Sequence, residues 1–387
     1  MNIGIIDGDL IYNKKHRFPN LACMKISGYY KSKGHNVELL TDYSSLTNYD
    51  FVFVSKVFTE TKIPEEVLKL PYVTYGGTGF FYDKAEPLPD YIEHCMPDYH
   101  LYDKWVQSKI KNGEKKREFS FYTDYSIGYT TRGCIRHCSF CVNKNYNASR
   151  LHSPVSEFLD EARPYICLLD DNILACADWK KVFDELIATG KRFQFRQGVD
   201  ERLLTEEKCE YLFKKAKYAN DRTFAFDNIK DKELIISKLK MIRKYTDERI
   251  KFYLLCAYNY DKDGIYDEAF WKQDIVNLFE QIKILAEYAC LPYVMRFEKY
   301  KESKYKGIYI NAAAWCNQAN MFRKMSFTEF CKKRGMSKKG IEVFGSDYTQ
   351  YENSGMKKGA AWRYLDEFSA NYHDIAKKYF NFRGDLV

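Results

Sequence analysis

Short apolar runs punctuate the first hundred positions: NIGIID at 2–7, NVELL at 36–40, DFVFVS at 50–55 and YVTYGG at 72–77. Each is rich in Val, Ile, Tyr or Phe and too short for a helix, which predicts β-strands. Between the first two, LACMKISGYYKSKG at 21–34 has helical character and stops at Gly34. Strands alternating with a helix predict a small parallel α/β layer. The turn-rich stretch KAEPLPDYIEHCMPDYHLYD at 84–103, with three of the chain's nine prolines, closes this layer.

The alternation resumes from about 120 to 297. The expected strands are YSIGYT at 125–130, PYICLLD at 164–170, RFQFRQ at 192–197, RTFAFD at 222–227, IKFYLLCAY at 250–258 and PYVMRF at 292–297. Helix ends lie between them: Asp178 precedes a run in which Trp179, Val182, Phe183, Leu186 and Ile187 share a face, and Gly190 stops it. Ser153–Pro154 and Thr205–Glu206–Glu207 mark two further starts. Six strand–helix units suggest a partial (βα)6 barrel, whose site lies at the carboxyl ends of its strands. From 298 onward the strand rhythm is lost. The expected fold is therefore α/β: a Rossmann-like parallel sheet over 1–105, a partial (βα)6 barrel over 106–297 and a mostly helical, basic extension over 298–387.

A length of 387 residues, 45% hydrophobic and 29% charged, fits a globular chain of two to three structural units. Asp7 and Asp9 interrupt the first apolar run, no basic segment precedes it, and no stretch approaches the apolar length of a membrane span. A cytoplasmic protein with no membrane partner is expected. Residues 299–387 hold 17 Lys and Arg against 9 Asp and Glu, so the chain's net charge of +8 is local to that segment. Cations interleaved with aromatics there suit phosphates and bases, so a nucleic-acid substrate stands beside a small-molecule one; a solvated surface explains the same residues.

Twelve cysteines in a reducing compartment do not imply disulfides. Cys167, Cys256 and Cys290 lie in apolar runs and read as small core residues, and Cys176, Cys316 and Cys331 read as structural, with late hydrogen donation the alternative. GYTTRGCIRHCSFCVNK at 128–144 is different: Cys134, Cys138 and Cys141 stand at intervals of four and three. Disulfides need an even number and a structural zinc needs four ligands. Three thiolates can hold a 4Fe-4S cluster and leave one iron open to a small molecule. Gly133 relieves backbone crowding as the loop wraps, and His137 reads as a bystander.

Cys-x-x-x-Cys-x-aromatic-Cys, with Phe140 as the aromatic, after the first strand of a six-fold βα unit, resembles the radical S-adenosylmethionine (radical SAM) superfamily. The resemblance covers roughly residues 120–297. It implies that Cys134, Cys138 and Cys141 ligate a 4Fe-4S cluster, that S-adenosylmethionine chelates the open iron, and that one electron from a donor such as flavodoxin or ferredoxin cleaves it to a 5'-deoxyadenosyl radical. Cofactor contacts are expected from Phe140, from Asp171 or Asn172 in place of the family's Gly-Gly-Glu turn, from Arg196 for a carboxylate, from Asp227 (with Asn228) for the ribose, and from Arg296 (with Met295) beside the adenine. Gln194, Arg196 and Gly198 share one face of their strand and Gln197 the other.

The N-terminal layer is similar to a cobalamin-binding domain. Enzymes of that kind carry Asp-x-His-x-x-Gly, whereas the nearby histidine here is His16, without the matching Asp and Gly, so cobalamin is not expected. Methylthiotransferases bring three more cysteines in such a domain, and this layer offers Cys23 and Cys95. Two other classes remain: a protein that uses the cluster structurally or as a sensor, and a zinc module.

Overall fold

A computed structural model describes residues 1–261 and 264–384. They gather into two compact units, one of residues 1–197 and 215–220, the other of residues 198–214, 221–261 and 264–384. Parallel sheets and abundant helix make the chain α/β, as its periodicities require.

In the first unit β1 (Asn2–Asp7), β2 (Asn36–Leu40), β3 (Phe51–Ser55) and β4 (Val73–Gly76) form an all-parallel sheet in the order β2-β1-β3-β4. Ile3, Ile5 and Ile6 of the central strand are wholly buried, and Cys23, Met24 and Ile26 of the helix Leu21–Ser32 join Ile3 and Ile5 in one core cluster. Asn20 caps that helix through the Cys23 N–H, and Gly34 (φ 79°) follows its end.

The same unit holds β5 (Tyr125–Gly128), the short antiparallel pair β6 (Thr131–Arg132) and β7 (Arg150–Leu151), β8 (Tyr165–Leu168) and β9 (Arg192–Phe195). β5, β8 and β9 form a three-stranded parallel sheet. The helix Trp179–Ala188 returns the chain between β8 and β9, burying Val182, Phe183 and Leu186. Asp178 stands at its N-cap, but its side chain makes no capping bond.

In the second unit β10 (Arg222–Ala225), β11 (Ile250–Cys256) and β12 (Cys290–Arg296) make another three-stranded parallel sheet, joined by the helices Lys232–Arg243 and Glu268–Glu287. All six strands expected between 120 and 297 are thus present, three in each unit. Beyond Arg296 the described residues form helices and connections alone. Among the described residues no helix is long and apolar enough to cross a membrane.

Four buried carboxyls make stability depend on pH. Burial pushes Glu201 up to about 8, Asp227 and Asp274 up to about 6, and Asp7 up to about 7. Asp7 accepts bonds from the Tyr102 hydroxyl (2.9 Å) and the Leu10 N–H (3.2 Å), and Asp274 from the Tyr309 hydroxyl (2.7 Å) and the Ala257 N–H (2.8 Å). Glu201 accepts the Ala225 N–H on one oxygen (3.1 Å), while the other takes no hydrogen bond. Each folded value exceeds the ordinary 3.8 or 4.5. Between those limits the folded state therefore holds more protons than the unfolded state, and stability falls as pH rises. Urea midpoints should decrease steadily from pH 5 to pH 8. Glu201→Gln should flatten the upper part of that window, where one proton corresponds to about 1.4 kcal/mol per pH unit. A midpoint that rises through this range would contradict the assignment.

Candidate functional site

The cysteine loop is the connection between β6 and β7, closed at its base by the pairs Thr131↔Leu151 and Arg132↔Arg150. It leaves the ladder at Gly133, whose φ of 92° is open to glycine and strained for other residues. A Cβ there would lie 2.2 Å from the Ala148 carbonyl oxygen, so the two ends of the loop can approach each other only across a glycine.

Cys134, Cys138 and Cys141 are each partly exposed and outside any disulfide, whereas Cys167, Cys256 and Cys290, read as core residues, and Cys176, Cys316 and Cys331, read as structural, are buried. Within the loop the Cys141 N–H donates to the Cys138 carbonyl (2.9 Å). Sulfurs also accept: Cys134 Sγ takes the Arg136 N–H (3.3 Å), and Cys141 Sγ takes the Asn143 N–H (3.4 Å). Among the described residues no three His, Cys, Asp or Glu side chains are gathered closely enough to hold an ion. The three cysteines stand partly exposed on one loop, as the candidate ligands of a thiolate-held cluster.

Three consecutive residues after β8 hold this loop. Asp170, wholly enclosed, accepts four bonds: from the N–H groups of Thr130 (3.1 Å) and Thr131 (2.7 Å) and from their hydroxyls (2.6 and 2.7 Å). Asp171 accepts from the Gly133 N–H (2.7 Å) and from Asn143 Nδ2 (2.6 Å). Asn172 Nδ2 donates to Cys134 Sγ (3.3 Å). Burial raises both aspartates above the ordinary carboxyl value, opposed by these same donors. The ladder is anchored in turn by buried Glu93, which accepts from Lys25 Nζ (2.7 Å) and His152 Nε2 (2.9 Å) and lies 3.7 Å from Arg132. Burial works against its charge, but these partners outweigh it and hold the carboxyl at about 2.

The other expected residues are dispersed. Phe140 is half-buried in the loop, its carbonyl accepting the Tyr82 hydroxyl (2.7 Å). His137 donates from Nδ1 to the Lys144 carbonyl (2.8 Å). Gln194 is buried against Cys167 Sγ (3.9 Å), while Arg196, one residue past β9, lays its guanidinium over Phe18 and Phe121, 5.3 Å from each ring. Asp227 and Arg296 belong to the second unit. Asp227 accepts the Leu255 N–H (3.1 Å), and Arg296 lies over the Tyr300 ring at 4.6 Å. Sequence reasoning missed Thr130, Thr131, Asn143 and Glu93. The paired threonines beside the cysteine loop were the available signal, and nothing local pointed to Glu93.

No family model matches the chain, and no curated protein does. Among solved structures it is similar to the cobalamin-dependent S-adenosylmethionine radical enzyme OxsB. With aqua-cobalamin and S-adenosylmethionine bound, the TM-score is 0.34 at 15% identity, over 98% of this chain and 56% of that one. The neighbours are radical enzymes. With aqua-cobalamin alone OxsB gives 0.33 at 14% over 98% and 56%, and the apo form gives 0.33 at 15% over 76% and 49%. The chain thus spans about half the length of the solved structures it matches.

These structures correct the expectation against cobalamin, because the enzyme they describe depends on it and two of them hold it. The missing Asp-x-His-x-x-Gly removes one way of ligating cobalt.

Proposed function

We propose that this chain is a radical S-adenosylmethionine enzyme. The observation that carries the reading is the loop itself: three partly exposed cysteines within eight residues, two with N–H donors on their sulfurs, in the connection between β6 and β7. Cys134, Cys138 and Cys141 would hold a 4Fe-4S cluster, which when bound supplies the electron that cleaves S-adenosylmethionine to a 5'-deoxyadenosyl radical. Asp170, Asp171 and Asn172 hold the loop in register, and Asn172 places an amide against the Cys134 sulfur. Arg196, exposed and stacked on two aromatic rings, offers its fork to a carboxylate. Six parallel strands are present as two three-stranded sheets, one in each unit.

A corrinoid is a second reading, with its own observation. The sheet order β2-β1-β3-β4 reverses between β1 and β3, the place where open α/β sheets take ligands. Val57, Phe58, Tyr75 and Phe81 stand exposed in β4 and in the segments that follow β3 and β4, the rings of Tyr75 and Phe81 stacked 5.9 Å apart.

One preparation tests both. Anaerobically reconstituted protein should turn brown, absorb near about 400 nm, and release 5'-deoxyadenosine when given S-adenosylmethionine and dithionite. Iron without cleavage would favour a cluster-bearing sensor, and colourless zinc-bound protein a zinc module. Hydroxocobalamin added to the same sample should co-elute on gel filtration if the second reading holds.

A further inference from the structure

Residues 323–339 carry Arg323, Lys324, Lys332, Lys333, Arg334, Lys338 and Lys339 against a single acid, Glu329. That acid is already engaged, closing a capping box with Ser326 and pairing with Arg383. None of the seven cations has a carboxylate oxygen within 4 Å among the described residues, whereas nearby Lys358 is paired with Glu352 and Asp366. Unneutralised cations concentrated on one segment are the electrostatic footprint of a polyanion site.

The backbone gives this charge a shape. The helix Phe327–Gly335 ends at the turn Met336–Ser337, and Ser337 caps the helix Lys338–Phe344 through the Gly340 N–H (3.0 Å). Two glycines lock the pair: a Cβ on Gly335 would lie 2.4 Å from Trp362 Cβ, and one on Gly340 would lie 2.1 Å from the Tyr351 ring. Gly340 is the one residue the second helix buries. Lys338, Lys339 and Glu342 are exposed, together with Ile341 (38%) and Val343 (60%). Phe344 packs beside that glycine, its ring 6.0 Å from that of Tyr351, and leaves the cations at the helix start on the exposed side.

We propose that this helix-turn-helix is a docking surface for duplex DNA. The major groove of B-form DNA admits an α-helix, whereas that of A-form RNA is too narrow. The second helix approaches the groove through Lys338 and Lys339 at its start, which meet phosphate and base edges, while Arg323, Lys324, Lys332, Lys333 and Arg334 neutralise the flanking backbone. The cysteine loop plays no part in this proposal, which stands whether or not the chain cleaves S-adenosylmethionine.

Fluorescence anisotropy of the full chain with a labelled mixed-sequence duplex, over a potassium chloride series, tests it. Binding should weaken with salt. Lys338→Gln with Lys339→Gln should reduce affinity at least about tenfold and lower the salt slope by about 1.8, the contribution of two phosphate contacts. Lys14→Gln with Lys15→Gln, at exposed lysines of the first unit, should change neither. The proposal is overturned if duplex DNA is not bound at about 50 mM salt, if the Lys338/Lys339 variant binds like the parent, or if duplex RNA or single strands bind as tightly.

Discussion

Cys138→Ala is expected to leave the chain folded, colourless and inactive. Three thiolates are the fewest that hold a four-iron cube with one iron open, so removing the middle ligand leaves two sulfurs at opposite ends of the loop. Iron after reconstitution should fall from about four per chain to a small fraction of that, and 5'-deoxyadenosine to background. The fold should survive, because Cys138 is a partly exposed loop residue whose neighbours are held by Asp170, Asp171 and the β6–β7 ladder. Cys95→Ala, at a partly exposed cysteine outside the loop, should keep both iron and cleavage. Full iron loading of the Cys138 variant would remove the basis of the proposed function.

Asp170→Ala should produce the largest loss of stability among single changes near the site. It strips the partners from two backbone N–H groups and two hydroxyls on Thr130 and Thr131, which are 2% and 0% exposed. The hydroxyls can turn toward other acceptors, but the N–H groups cannot. At about 1–3 kcal/mol for each buried group left unpaired, the cost is roughly 3–5 kcal/mol. That is a large share of the 5–15 kcal/mol that typically holds a domain together. Urea unfolding should show this loss, with faster amide exchange over 128–133 and poorer iron loading. Asp170→Asn, which keeps the shape and one acceptor oxygen, should cost less than Asp170→Ala. A penalty under about 1 kcal/mol for Asp170→Ala would mean that water or a rearranged loop replaces the carboxylate.

The residues expected to touch S-adenosylmethionine show where reading along the chain reaches its limit. Asp171 and Asn172 stand after a strand, where the resemblance expects acceptors, and their bonds run to Gly133, Asn143 and Cys134. The alternation along RFQFRQ put Gln194 and Arg196 on one face; the first is buried on a thiol, whereas the second, just past the strand, turns out over Phe18 and Phe121. Cobalamin was set aside for want of a ligand motif, an argument that concerned one bond to cobalt and not the sheet beneath it.

By itself the sequence determined the strands and helices, their parallel α/β class, the close spacing of Cys134, Cys138 and Cys141, and the concentration of positive charge past residue 298. These follow from residue type and short-range spacing, which set backbone period, turn geometry and charge density without reference to distant parts of the chain. Only the tertiary structure decided which carboxylate holds which end of the loop, since Asp170 meets Thr130 across 40 positions and Asn172 meets Cys134 across 38. It also decided that Gly133 faces the Ala148 carbonyl and that Gly340 rests on Tyr351. Such partners are chosen by how packed layers meet, because a buried donor takes whichever acceptor the fold brings within 3 Å.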